Sequence, residues 1–491
     1  MRRRLLASLF MVFAFFAGNI SALVRCSTAY NETELMNLAG QYKKTIMDFY
    51  PRGTIYDRNG IRLTNRQDEG YRFIDAPSCA RAPVASTVLG SVTEYESSEG
   101  GGSIALGSSG IQRAYDSLLN GGSKITVLAP VDAKGNILSK NGIQVASDHI
   151  NEGCIINLTL DYALQREFEE AMKQYAGEIE CSGISVILSE AKSGRILVMA
   201  SYGDEMNKTV LSYQPGSIMK IVAAAAMLES DDIDLNEEYE CTASVTANNS
   251  QHYCSGRTAH GAIGLSEAFA QSCNCYFYEA AKKIEYISED GITRSPIADM
   301  ARRWGFSEFG EPSADFELSY SSHYSFVSSI VYNDEDLFNT TLGQGRTQAS
   351  TYLINKIVAA IASGGTAISP YLVESIIDPA GNSVEIAPKE NFSLGLAEQS
   401  VEKLQEMMRL AATSGTASLN SLAKHGGLSG KTGTAQNAAS SDHAWLTGYF
   451  PYKHPQYAMT VLIEEGGSSS NAVTLYNRLC DLLFEIYPQG E

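Results

Sequence analysis

Ser217 and Lys220 stand three residues apart where a turn, Pro215-Gly216, gives way to the apolar run Ile218–Leu228. That run predicts a buried helix, and the spacing puts both side chains on one face at its N-terminus. A serine hydroxyl is a poor nucleophile until a base takes its proton. A lysine amine desolvated by an Ala/Val/Ile helix can lose enough basicity to be that base. The helix start also offers backbone N–H groups to a developing oxyanion. An unpaired ammonium in so apolar a helix is costly, so a purely structural Lys220 is a poor alternative. The pattern alone is weak, since S-x-x-K recurs at Ser189, Ser400 and Ser421. Ser189–Lys192 falls at an expected hairpin turn and Ser400–Lys403 in a charged, surface-like helix, so their bland readings win.

Two further patterns follow in the chain. Ser272-Cys273-Asn274 lies inside Leu265–Ala281, an apolar stretch expected to be helical. Two polar side chains facing inward there need partners, which a cleft supplies; satisfying backbone or each other is the structural alternative. Lys431-Thr432-Gly433-Thr434 lies on an expected strand, Leu428–Ala435. A lysine flanked by hydroxyls suits a carboxylate, and Gly433 is expected to leave room for a substrate strand alongside. S-x-N recurs at Ser139, Ser418 and Ser469, and K-[ST]-G at Lys192. Only Ser217, Ser272 and Lys431 come in order with all three contexts suitable. The chain lacks H-E-x-x-H, G-x-S-x-G and G-x-G-x-x-G. His425–Thr432 imitates a phosphate loop but carries histidine in place of the first glycine.

The elements that must position these residues are legible in outline. Ile184–Ser189 and Arg195–Ser201 read as a hairpin; Leu428–Ala435, Ala444–Phe450 and Tyr457–Ile463 read as strands; Asn471 to about Ile486 reads as an amphipathic helix. Two strands early, three late and helices between predict an α+β domain over 155–488 whose ends meet in one antiparallel sheet flanked by helices. Residues 26–150, with many Gly and Asn turn signals, read as a β-rich region with some helix, containing a Gly/Ser-rich loop, Ser97–Gly110.

The N-terminus gives the topology. Three arginines precede the uncharged run Leu5–Val24, long enough to span a bilayer as a helix of about 30 Å. A cytoplasmic tail over 1–4, a single membrane helix over 5–24 and an extracytoplasmic remainder are expected, with a cleavable signal peptide as the alternative. The net charge of −19 argues against nucleic-acid binding. The charges before Cys26 are all arginines, so the remainder is more acidic still. Nine cysteines without a C-x-x-C exclude the usual redox and zinc-ribbon spacings. Cys241 and Cys254 bracket a polar loop and are the best disulfide candidates. His252, Cys254 and His260 lack a fourth ligand at useful spacing, so no metal and no cofactor is expected.

With these motifs on the page, the chain resembles a class B penicillin-binding protein, a monofunctional peptidoglycan D,D-transpeptidase, in a short form without C-terminal repeats. The likeness covers nearly the whole chain. Arg52-Gly-Thr-Ile-Tyr-Asp57-Arg58-Asn59-Gly60 and Gly110–Gly121 are similar to pedestal segments of that family, Thr159–Gln165 to the start of its transpeptidase domain. Leu342-Gly343-Gln344-Gly345 and Ala444-Trp445 with Gly448 also resemble its patterns. Arg346–Thr351 departs from the usual Thr-Pro-Leu run. About 120 residues ahead of the catalytic domain are too few for the glycosyltransferase of class A relatives.

The resemblance implies a penicillin-binding-protein/β-lactamase-like fold and roles for individual residues. Ser217 is implied as acylated nucleophile, Lys220 as its base, Ser272 as proton relay and Asn274 as holder of the substrate amide. Lys431 is implied to supply positive charge, Thr432 and Thr434 to bind the terminal carboxylate, and the N–H groups of Ser217 and Thr434 to form the oxyanion hole. The implied substrates are peptidoglycan stem peptides ending in D-Ala-D-Ala, with β-lactams trapping the same serine. The implied partner is a SEDS-family membrane glycosyltransferase, at the bacterial cell membrane. A D,D-carboxypeptidase or β-lactamase of the same fold, and a non-catalytic β-lactam sensor or divisome scaffold, are the alternatives.

Overall fold

The computed structural model describes residues 2–29, 43–49, 52–64, 84–96, 103–121, 125–131, 144–146, 153–308, 325–386, 389–417, 425–436 and 441–488. These fall into two contact units that interleave along the chain. The smaller comprises Met1–Arg52, Glu94–Ala105 and Asn120–Gly153; the larger comprises Gly53–Thr93, Leu106–Leu119 and Cys154–Glu491. Sequence segments assigned to the pedestal therefore cluster in part with the larger unit.

Arg2–Ala29 is one helix, with Phe10, Phe13 and Phe16 exposed. Among the described residues no helix is long and apolar enough to cross a membrane, and the side chains described for this one run only from Phe10 to Ala22, with Arg25. A five-stranded sheet carries strands in the order Val92–Glu96, Ser103–Gly107, Lys43–Phe49, Ile125–Pro130 and Gln144–Ala146.

In the larger unit, α1 (Tyr162–Ala176) precedes the hairpin β1 (Gly183–Glu190) and β2 (Ile196–Tyr202). A helical middle contains α2 (Lys220–Leu228), α3 (Leu265–Ala270), α4 (Asn274–Lys283), α5 (Thr351–Ala362) and α6 (Glu398–Thr413). The chain returns as β3 (Ser429–Ala435), β4 (His443–Phe450) and β5 (Tyr457–Glu464), then α7 (Ser469–Ile486). The sheet order is β3-β4-β5-β1-β2, antiparallel throughout. The first and last strands of the domain thus pair at its centre, as the sequence pattern predicts, and β3 lies on an edge.

Both faces of this sheet are covered, which explains why β1, β2, β4 and β5 are largely apolar along their length; the edge strand β3, with Lys431 and two threonines, is the exception. Ala444 and Leu446 point to a cluster with Phe168 of α1 and Leu475 and Leu479 of α7. Trp445 and Leu462, one position on in each pleat, point to a second cluster with Ala224 of α2 and Ile357 of α5. Residues Ile221–Met227 of α2 are all buried, so this helix is apolar on every side because it runs through the interior. Asp161 caps α1, its Oδ1 accepting from the N–H of Ala163 and Leu164 at 3.0 and 3.1 Å. The Arg52–Gly60 segment reaches the same place: Asp57 Oδ2 accepts from Tyr162 N–H at 3.0 Å, and Asn59 Nδ2 donates to Asp161 Oδ2 at 3.1 Å.

One element differs from expectation. Leu265–Ala281 is two helices, broken at Gln271–Cys273, where Ser272 takes a left-handed φ of 56°. Apolar periodicity runs through the break because both halves pack on α2, the first also on α6 and the second on the helix Asp334–Leu342, so the sequence reads as one helix.

Candidate active site

The turn Gly216–Met219 is a 3-10 helix that feeds directly into α2, so Ser217 sits one tight turn ahead of Lys220. Lys220 is fully buried, and its Nζ donates to Ser217 Oγ at 3.2 Å, Ser272 O at 2.7 Å, Ser272 Oγ at 3.1 Å and Asn274 Oδ1 at 2.7 Å. Lys431, also fully buried on β3, donates to the same Ser272 Oγ at 3.1 Å and to Thr432 O at 3.0 Å. Ser272 Oγ therefore lies between two lysines. The break between α3 and α4 makes this possible, because the left-handed turn at Ser272 swings its carbonyl as well as its hydroxyl onto Lys220.

Burial lowers the Lys220 ammonium from its ordinary 10.5 to about 8, partly offset by the thiols of Cys273, Cys254 and Cys275 nearby. Lys431 is pushed well below its ordinary value by burial and by the neighbouring Lys220 charge. Two lysines this close cannot both hold a proton cheaply. One neutral amine beside Ser217 is the condition general-base chemistry needs.

These groups open on a cleft of about 550 Å³ lined by Ser217, Ser272, Asn274, Thr432 and Thr434. A larger hollow of about 920 Å³ between Arg409, Tyr452 and Phe484 carries none of the three patterns. The nucleophile turn, the Ser272–Asn274 break and the Lys431–Thr434 strand converge on the cleft, whereas Ser189 Oγ donates to Asn355 Oδ1 at 2.7 Å in the core. Ser139 and the Ser421–Lys424 pattern lie outside the described residues.

A model of the penicillin binding protein transpeptidase domain matches residues 184–480, more than half of the chain. The chain belongs to the penicillin-binding-protein transpeptidase family. Among curated relatives it is similar to the peptidoglycan D,D-transpeptidase PbpA of Mycolicibacterium smegmatis, 24% identical over 408 residues, 75% of this chain and 77% of that one. It is also 24% identical over 440 residues to the peptidoglycan D,D-transpeptidase MrdA of Haemophilus influenzae, covering 79% of this chain and just under two thirds, 64%, of that protein. Its fold is similar to penicillin binding protein 3 from Mycobacterium tuberculosis complexed with aztreonam, with a TM-score of 0.68 at 18% identity, over 92% of this chain and 98% of that one. The class B resemblance drawn from the motifs agrees with this family membership.

Within this penicillin-binding-protein domain, the structure revises two readings. A Cβ on Gly433 would lie 2.7 Å from Pro215 O and 2.8 Å from Ile218 Cγ1. Gly433 thus faces the nucleophile turn and lets it pack on β3, which lies at the edge of the sheet. Cys241 and Cys254, the expected disulfide pair, are both free, with Sγ atoms 3.8 Å apart, and Cys254 also faces Cys273 and Cys275. His252 is held by Glu335 at 2.8 Å and stacks on Phe338, away from those sulfurs.

Sequence reasoning passed over Thr416, whose hydroxyl lies 2.6 Å from Thr432 Oγ1 at the cleft wall. A lone threonine in a loop gives no signal of this. Trp445, noted only as part of a pattern, fixes the nucleophile turn by donating from Nε1 to Gln214 O at 2.9 Å.

Proposed function

We propose that this chain is a serine-type peptidoglycan D,D-transpeptidase in which Ser217 is the acylated nucleophile and Lys220 its base. The observation that carries the reading is the single amine of Lys220, which reaches Ser217 Oγ, Ser272 Oγ and Asn274 Oδ1 at once while its pKa is lowered to about 8. A stem peptide ending in D-Ala-D-Ala lies along the edge of β3, where Thr432 and Thr434 hold its terminal carboxylate beside Lys431. Neutral Lys220 takes the Ser217 proton as Oγ attacks the penultimate D-Ala carbonyl. The N–H groups of Ser217 and Thr434 hold the oxyanion. Ser272, between the two lysines, passes a proton to the leaving amine, so terminal D-Ala departs and an ester remains on Ser217. An amine from a second stem peptide then attacks the ester and restores the serine. A β-lactam opens on the same Oγ and stays attached.

The cationic start and the apolar run Leu5–Val24 support a single membrane anchor with the catalytic unit outside the cytoplasm. In that setting a SEDS-family membrane glycosyltransferase supplies the strands to be cross-linked.

The test is covalent labelling of the full chain, purified in detergent, with fluorescent penicillin. The wild type forms one stable adduct and Ser217→Ala forms none. An adduct on Ser217→Ala removes that serine as nucleophile. An adduct that turns over within seconds replaces the transpeptidase with a β-lactamase, and no labelling of the wild type favours a scaffold.

A further inference from the structure

Behind the cleft, four segments bring together side chains that the proposed reaction does not use. Cys241 ends a short strand that pairs with Gly261–Ile263, placing it opposite Gly261 and next to His260. Cys254 follows the hairpin Ser244–Ala247/Ser250–Tyr253, and Cys273 is the N-cap of α4. Their ligand atoms, three sulfurs and one ring nitrogen, all lie within 4.8 Å of one another. The Sγ atoms of Cys241 and Cys254 are 3.8 Å apart, those of Cys254 and Cys273 are 3.8 Å apart, and Cys241 Sγ is 3.3 Å from His260 Nδ1.

Those three separations fit edges of a tetrahedron, and the other three are no longer than 4.8 Å. Zinc bound to sulfur at about 2.3 Å and to nitrogen at about 2.0 Å needs sulfur–sulfur edges of about 3.8 Å and sulfur–nitrogen edges of about 3.5 Å. We propose that Cys241, Cys254, Cys273 and His260 hold one zinc ion. Three thiolates and an imidazole select a soft or borderline metal over magnesium or calcium. With four protein ligands the site is closed, so the metal holds structure and does no chemistry. On binding, the three thiols release their protons to solvent.

The surroundings suit thiolates. Tyr276 N–H donates to Cys273 Sγ at 3.4 Å, and the backbone N–H groups of Asn274 and Cys275 point at Cys254 Sγ. Cys241, Cys254 and Cys273 are buried, His260 half-buried. A disulfide accounts for the cluster less well. Cys254 has three sulfur neighbours, with Cys275 at 3.4 Å, and could bond to only one, leaving buried thiols beside it in a chain expected outside the cytoplasm.

The site has a consequence for the cleft. Cys273 is the residue between Ser272 and Asn274, and Ser272 sits at a strained left-handed φ. Metal on Cys273 Sγ would fix the peptide whose two neighbours grip Lys220, making Cys273 a positioning residue. That bearing on acylation rests on the reading proposed above; the metal content does not.

The test uses the full chain purified in detergent under reducing conditions without added metal. Elemental analysis should find one zinc per chain. Cys241→Ser should lose it while Cys275→Ser keeps it. Cobalt added after chelation should give thiolate-to-cobalt absorption. The thiols of Cys241, Cys254 and Cys273 should react with a thiol reagent only after chelation, a readout that stands if Cys241→Ser fails to fold. Chelated protein should acylate about 10-fold or more slowly and recover with zinc. Metal-free wild type, iron in place of zinc, or an intact mass two hydrogens light from a disulfide among these cysteines would each overturn the proposal. Stoichiometric zinc with unchanged acylation would keep the site and remove its positioning role.

Discussion

Lys220 ties the fold to the reaction through one proton, so the pH dependence of acylation is the sharpest test of its role. As a base it works only when neutral. With burial setting its pKa at about 8, about half of the molecules carry a neutral amine at pH 8, about a tenth at pH 7 and about a hundredth at pH 6. The second-order rate of acylation should fall about tenfold per pH unit below 8 and level off above it. The groups facing this amine are Lys431 on β3 and the thiols of Cys254, Cys273 and Cys275 on the other side. An unburied lysine would place the inflection near 10.5, so burial raises the neutral fraction of this amine about 300-fold at pH 7. The same shift has a stability sign. The folded-state pKa is below the unfolded one, so the folded state holds fewer protons and Lys220 opposes folding by about 3 kcal/mol below pH 8. That penalty is relieved as pH rises from about 8 to 10.5. Stopped-flow acylation by fluorescent penicillin, from about pH 5.5 to 9.5, measures the first effect, and Lys220→Met provides the control. The variant should keep a cooperative melt yet acylate about 10²–10⁴-fold more slowly. A wild-type profile that is flat between about pH 6 and 8 would refute Lys220 as the base.

Gly433→Ala should lower acylation about 100-fold, because its Cβ meets Pro215 O at 2.7 Å and must push the nucleophile turn off β3; an unchanged rate would show that the turn can yield. Thr434→Val keeps the shape of an exposed edge residue but removes its hydroxyl, so acylation by carboxylate-bearing β-lactams should weaken about 10–100-fold with an unchanged melting temperature. Phe168→Ala, in the core between α1 and the sheet and far from the cleft, should cost about 3–5 kcal/mol in thermal or denaturant unfolding while leaving the acylation rate of the folded protein within about twofold.

Local patterns made the central sheet legible. Ile184–Ser189 and Tyr457–Ile463 are short apolar runs bounded by turn residues, and the structure pairs them as neighbours, Val186 against Val461. The three motifs were legible for a related reason: each is a fixed spacing over three or four consecutive residues, which one sequence displays. The break at Ser272 was not. Gln271-Ser272-Cys273 has no glycine or proline to mark it, and the apolar positions on either side keep helical period, so only the contacts of Lys220 with Ser272 O and Asn274 Oδ1 reveal the turn.

The cysteine cluster escaped for a different reason, and that reason bears on what holds the break in place. Its members at 241, 254, 260 and 273 come from four segments whose meeting depends on tertiary packing, so no spacing rule detects them. Read along the chain, Cys273 looks like a small core residue; read in space, its sulfur sits among two other thiols and an imidazole while its backbone carries the strained neighbour that grips Lys220. A left-handed serine costs about 1–2 kcal/mol and persists only where its surroundings over-determine it. Hydrogen bonds from two lysines do so on the cleft side. On the opposite side Cys273 N–H donates to Ala268 O at 2.8 Å, while its Sγ accepts from Tyr276 N–H and faces other sulfurs, and sulfur–sulfur contacts alone restrain the side chain little. Bonds from those sulfurs to one metal would add to that restraint, so loss of zinc should show first as a slower acylation and only then as a lower melting temperature.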